Sequence, residues 1–155
     1  GVPLKIAFPH LEACLLDSLK KRVNFLEETF QLLKLENITA IHGRAEEFAK
    51  NKAYRETYDL CVSRAVSNLA TLSEYCLPYV KTGGFFISYK SGTVQEEVEQ
   101  AQKAVKILGG RIQDVVYFQL PDSEIQRSLV VIEKIKATPG RYPRKAGTPL
   151  KEPLS

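Results

Sequence analysis

The chain has 155 residues, 44% of them apolar, enough to bury one core and too few for two independent ones. No apolar run approaches the roughly 18 residues that span a bilayer, and Gly1-Val2-Pro3-Leu4 lacks the charged head of a signal peptide. No membrane partner is therefore expected, and the location expected is cytoplasmic.

In chain order, Leu4 to Phe8 reads as the tail of a helix. Leu11 to Leu16, closing on Asp17, is short and apolar like a buried strand. Leu19, Val23, Leu26, Phe30 and Leu33 recur at helical spacing, and Ser18 stands where a cap belongs. Ile38 to Ile41 and Tyr58 to Ser63 read as strands. Leu69 to Val80 reads as a helix stopped by Thr82-Gly83-Gly84, and Phe85 to Tyr89 as another strand. Val94, Val98, Ala101, Val105 and Leu108 give a helix ended by Gly109-Gly110. Alternation of this kind predicts a mostly parallel sheet with helices on both faces. Arg111 to Leu120 and Gln126 to Ile135 break it, because five residues are too few for a crossover helix, so these two runs are expected to form an antiparallel hairpin. A doubly wound nucleotide fold also has a first strand and a glycine-rich turn before its first helix. Neither is found here, so this portion is expected to lie N-terminal to Gly1.

The charge of +4 is not spread evenly. Residues 136 to 155 hold Lys136, Arg141, Arg144, Lys145 and Lys151 against Glu152, which leaves the other 135 residues neutral. Thr138 to Pro153 contains four prolines and two glycines and reads as an extended tail after a domain covering 1–135. A basic tail on a neutral body suits a polyanion; it also suits simple solvation. Cys14, Cys61 and Cys76 sit in apolar stretches without ligand spacing and read as reduced thiols, and with His10 and His42 isolated no metal site is expected.

Four places carry candidate chemistry. Asp17, at the carboxyl end of a strand, either accepts both hydroxyls of an adenosine ribose or caps the following helix. Arg44-Ala45-Glu46-Glu47-Phe48 follows the next strand and is either an adenine-facing loop or a surface turn. Arg64 and Lys90 end strands at the same edge, where each can meet an anionic ligand or an acidic neighbour. No Ser/His/Asp or Cys/His set is suggested, which suits a reaction that needs positioning more than a general base.

Together, Pro9-His10-Leu11, Asp17 to Arg22 (DSLKKR), Gly43 to Glu46 (GRAE), Ser63 to Val66 (SRAV), Leu77-Pro78 and Arg141 to Pro149 (RYPRKAGTP) resemble the bacterial small-subunit ribosomal RNA guanine-N7 methyltransferase family, also called glucose-inhibited division protein B. The last string is the most specific and resembles the Gram-positive branch. The resemblance implies a Rossmann-like class I fold, S-adenosylmethionine as cofactor, methyl transfer to N7 of a guanine, 16S ribosomal RNA or the small subunit as partner, and a monomer. It places Asp17, Ser18 and Leu19 along the ribose, Ala45 and Glu46 at the adenine and Arg64 beside the cofactor. Lys90, Arg141, Arg144 and Lys145 are the expected RNA contacts. Of the family's glycine-rich loop only Gly1 is found here, so this stretch alone is expected to lack the contacts to the methionine end. Two other readings remain: a non-catalytic RNA-binding module, and a nucleotide-binding oxidoreductase fragment.

Overall fold

The computed structural model describes residues 1–64 and 67–154; Ala65 and Val66 of the SRAV string lie outside the described residues. Two compact units are found, 1–47 and 48–155.

The first unit begins with α1 (Val2–Ala7), followed by β1 (Ala13–Asp17), α2 (Lys20–Leu32) and β2 (Ile38–His42). β1 and β2 pair in parallel, Ala13 opposite Ile38 and Asp17 opposite His42. The helix between them is the crossover that a parallel pair requires. On α2 only Val23 and Phe30 are buried, with Leu26 half-buried between them, while Leu19 and Leu33 at the ends of the apolar series are exposed. Ser18 does not cap α2. Leu19 takes an extended conformation and occupies the cap position, so the helix starts one residue later than expected, and the Asp17 carboxylate accepts the Leu19 N–H instead. A four-residue helix, α3 (Ala45–Phe48), follows β2.

In the second unit, β3 (Tyr58–Ser63), α4 (Leu69–Cys76), β4 (Val80–Ser91), α5 (Gln95–Ile107), β5 (Gly110–Gln119) and β6 (Gln126–Lys134) build a four-stranded sheet of order β3-β4-β6-β5. β3 and β4 are parallel, whereas β6 is antiparallel to both β4 and β5. The hairpin expected from the short connection is therefore present. The core lies on one sheet face, where Phe86, Val130 and Ile132 meet Leu69 and Leu72 of α4 and Val98, Ala101 and Val105 of α5.

Two expectations in this unit change. The helix expected to run to Val80 stops at Cys76, passes through a 3-10 turn at Leu77–Tyr79 containing Pro78, and becomes strand at Val80. The glycines read as its stop lie inside β4: a Cβ on Gly84 would stand 2.5 Å from the Asp59 carbonyl, so this glycine permits close pairing with β3. Gly109 does end α5 as expected; its φ is +89° and a Cβ would meet the Lys136 carbonyl at 2.2 Å.

The segment 136–154 is not extended. Arg55 donates to the carbonyls of Ala49, Tyr142 and Thr138 at 3.1, 2.9 and 2.7 Å. Thr138 donates its hydroxyl to Leu108 O at 2.6 Å, and Thr71 on α4 donates to Pro149 O at 2.9 Å. A short helix, α6 (Thr148–Lys151), completes the segment. Beneath it, Glu74 of α4 is fully buried and accepts the Arg144 N–H at 2.7 Å together with its Nε and Nη2, the latter at 2.7 Å. This pairing raises the Arg144 pKa. Lys134 is likewise fully buried and donates to Leu77 O, Val80 O and Glu56 at 2.6, 3.0 and 3.0 Å. Burial lowers its pKa, and Glu56 opposes that shift.

Removing one partner of a buried pair leaves an uncompensated charge, so Arg144→Ala is expected to cost about 3–5 kcal/mol of stability. Glu74→Gln should cost less, because the amide retains an acceptor for Arg144. Urea denaturation of the two variants measures both losses.

Candidate functional site

In the first unit the chemistry gathers where β1 and β2 end. The Gly43 N–H donates to the Asp17 carbonyl at 3.0 Å, carrying the parallel pairing one step beyond the strands. Asp17 Oδ1 accepts the Leu19 N–H at 2.8 Å, and Oδ2 lies 3.4 Å from Arg22 Nη1. The first bond turns the chain from strand into helix. The second is long and reaches an arginine that is 68% exposed, so it contributes little. Oδ2 thus retains acceptor capacity on a side chain that is one quarter exposed. A carboxylate with one oxygen fixed by backbone and the other open fits a pair of neighbouring hydroxyls, and the carboxyl edge of a parallel pair is where such ligands bind.

Around it, His42 Nε2 sits 3.2 Å from the Ser18 carbonyl, so a side chain from β2 steadies the first residue after β1. Arg44 donates to Glu46 at 3.2 Å, and the Glu46 side chain is 4% exposed. The resemblance offers Glu46 to the adenine; its carboxylate accepts from Arg44, and it lies in the first turn of α3. The His42 contact was not foreseen, since nothing in the sequence relates two residues 24 positions apart.

In the second unit the carboxyl edge is made by the ends of β3, β4 and β5, which all run the same way, and by the start of β6. Arg64 follows β3 directly and is exposed, as expected. Lys90 is not: its side chain is 10% exposed, with Nζ donating to Ser67 O at 2.8 Å and to Glu97 at 2.6 Å. Alternation along β4 explains this, because Lys90 shares the face of Phe86 and Ser88, which is the face covered by α4 and α5. Arg127 was missed. It is the second residue of β6, opposite Ser91 and Phe118, half-buried at the same edge, and its mark in the sequence is a cation at the start of the last apolar run.

Among the basic residues of 136–155, Arg141 and Lys145 are exposed, and the Arg141 guanidinium lies 5.0 Å over the Tyr142 ring. Arg144 is held by Glu74 and the Glu152 carbonyl. The three cysteines are free thiols; a hydrogen bond with Cys61 and burial push the Cys76 thiol well up, so it stays protonated and unreactive at neutral pH.

The profile of the family described as rRNA small subunit methyltransferase G matches residues 1–130. The chain belongs to that family. The "Ribosomal RNA small subunit methyltransferase G" of Lachnoclostridium phytofermentans is 55% identical over 154 residues, covering 99% of this chain and 64% of that protein. That of Clostridium novyi is 53% identical, covering 99% and 63%. The chain thus spans under two thirds of the length of these curated relatives. Among solved structures, TYW2 of M. jannaschii in complex with AdoMet has a TM-score of 0.64 at 13% identity, covering 86% of this chain and 63% of that one. A putative sarcosine dimethylglycine methyltransferase from Galdieria sulphuraria has a TM-score of 0.62 at 11% identity, covering 86% and 74%. At such identities the likeness shows the fold, which is the Rossmann-like class I methyltransferase fold read from the sequence.

If Asp17 starts α2 through its carboxylate, Asp17→Ala should cost about 1 kcal/mol, and Asp17→Asn, which keeps an acceptor for Leu19, only a few tenths. Thermal denaturation of the two variants checks the difference.

Proposed function

We propose that the protein containing this chain transfers the methyl group of S-adenosylmethionine to N7 of a guanine in 16S ribosomal RNA, on the naked RNA or on the small ribosomal subunit. The observation that carries this reading is the 55% identity, across 99% of the chain, to a protein named for small-subunit ribosomal RNA methylation. The open oxygen of Asp17 supports it with a fitting chemistry.

In this reading Asp17 Oδ2 accepts the ribose hydroxyls, with Ser18 and Leu19 lining the same turn. Ala45 and Glu46 meet the adenine through their backbone, because the Glu46 carboxylate is turned to Arg44. Arg64 stands beside the cofactor. Bound S-adenosylmethionine supplies a methyl group on a positively charged sulfur. Guanine N7 already carries a lone pair, so the protein's task is to bring it into line and keep it there, which by itself can lower a barrier by several kcal/mol. This suits a chain in which no nucleophile–base pair is evident among the residues discussed.

Arg141 and Lys145 are the proposed phosphate contacts. Arg144 serves them indirectly, by anchoring the segment through Glu74. The functional division is thus a methyltransferase domain, 1–135, and a basic segment, 136–155, that folds onto α4 and displays cations. The protein acts as a monomer in the cytoplasm, without a metal.

Titration of S-adenosylhomocysteine into the full-length protein should show binding, weakened about 10-fold or more in Asp17→Asn by loss of a charge-assisted hydrogen bond. Binding of a nicotinamide dinucleotide in its place overturns the reading in favour of an oxidoreductase. Arg141→Ala and Lys145→Ala should each lower the slope of log affinity for RNA against log salt by about 1 without changing the methylated position.

A further inference from the structure

α2 opens with three cations in a row. Lys20, Lys21 and Arg22 fill the first turn of this helix, which contains no acidic residue, and all three are exposed. The first turn is the positive end of the helix dipole, where a carboxylate is favoured and an ammonium is not. Nor can the lysines be neutralised along the helix. The residues three and four positions further on are Val23 and Asn24 for Lys20, and Asn24 and Phe25 for Lys21. Among the described residues no hydrogen bond or ion pair holds either ammonium. Arg22 does have an acidic neighbour, Asp17, but at 3.4 Å from an exposed guanidinium that contact is weak.

An aromatic ring stands beside these charges. Phe25 follows Lys21 by four residues and Arg22 by three, so it lies one turn further along the same side of α2. It is 66% exposed, whereas the buried side of the helix is that of Val23 and Phe30. Folding of this unit gains nothing from the arrangement, since cations at this end oppose the dipole and a bare phenyl ring removes little apolar surface from water. A strand of RNA gains from each part of it. Its phosphates pair with the lysines and release counterions, and an unpaired base stacks on the ring. A protein segment laid over Phe25 would leave the two ammoniums without a partner.

We infer that the start of α2 is an RNA-binding surface: Lys20 and Lys21 hold phosphates of the substrate strand, and Phe25 stacks against one of its unpaired bases. The inference rests on the function proposed above and deepens it, because the phosphate contacts named there, Arg141 and Lys145, both belong to the second unit. The patch directly follows Asp17, Ser18 and Leu19 in the chain, so the strand it holds passes beside the proposed ribose site.

The test is binding of 16S ribosomal RNA, over a range of salt, by the full-length protein and by Lys20→Gln, Lys21→Gln, their double variant, Phe25→Ala and Phe25→Trp. Each lysine variant should lower the slope of log affinity against log salt by about 0.7, and the double variant by about 1.4. Phe25→Ala should weaken binding about 10-fold or more without changing the slope, and Phe25→Trp should retain the affinity. Two further readouts separate this role from others. The melting temperature of the lysine variants should stay level or rise by about 1 °C, because glutamine keeps the helix propensity and removes a charge that opposes the dipole. Affinity for S-adenosylhomocysteine should stay within about 2-fold, since exposed charges act on it only through screened forces. The lysine variants, at exposed positions, keep the test decisive if Phe25→Ala fails to fold. An unchanged slope in both lysine variants overturns the inference. So does a Phe25→Ala protein that melts several degrees lower yet binds RNA with full affinity, because another part of the protein then covers the ring. In either case methylation by the unsubstituted protein leaves the proposed function standing. A full-length protein that neither binds nor methylates 16S ribosomal RNA overturns that function, and this inference falls with it.

Discussion

Glu74 is a carboxylate with no solvent around it, on a helix of which seven of eight residues are buried. An ion in that position must be neutralised where it sits, since an unpaired buried charge costs several kcal/mol. Arg144 does so with its backbone N–H and two guanidinium nitrogens, 70 residues further along the chain. The second unit depends on this contact. It brings the final segment onto α4, gives Thr71 the Pro149 carbonyl as an acceptor, and buries Tyr142 and Pro149. Arg55 reinforces the same closure by donating to carbonyls at Thr138 and Tyr142. Polar groups thus fix the path of a stretch rich in proline and glycine, which has little apolar surface of its own to bury.

The anchoring changes the meaning of the basic C-terminal stretch. A mobile tail of five cations would meet RNA as a diffuse cloud of charge. A segment pinned by Arg144 instead presents Arg141 and Lys145 from defined positions, the former stacked over the Tyr142 ring. One cation of the motif makes the platform and its neighbours are displayed on it. Arginine suits the inner role, because its planar fork satisfies both carboxylate oxygens at once.

A similar division holds at the strand ends. Asp17 uses one oxygen to start α2 and keeps the other open, so the capping and ligand-binding readings of this residue are compatible. At the edge of the second unit, Arg64 is exposed while the Lys90 ammonium donates to the Ser67 carbonyl and to Glu97. Residues that end parallel strands share an address, but the side of the sheet to which each side chain points decides whether it meets solvent or a helix. For Lys90, parity with Phe86 and Ser88 decided for the helix.

By itself the sequence determined the order of elements, a mostly parallel arrangement of the strands before the terminal hairpin, that hairpin, Asp17 and Arg64 at strand ends, and the family. These follow from local periodicity, connection length and motif strings, all of which lie within short windows. The place of Gly84 inside β4 was not legible, because it depends on how closely β3 approaches. Only the tertiary structure decided that Arg144 neutralises Glu74, that Lys90 grips Ser67 and Glu97, and that residues 136–154 fold back. A charged side chain has the same one-letter identity whether it meets water or a partner 70 residues away, and only the packed chain brings that partner within hydrogen-bond distance.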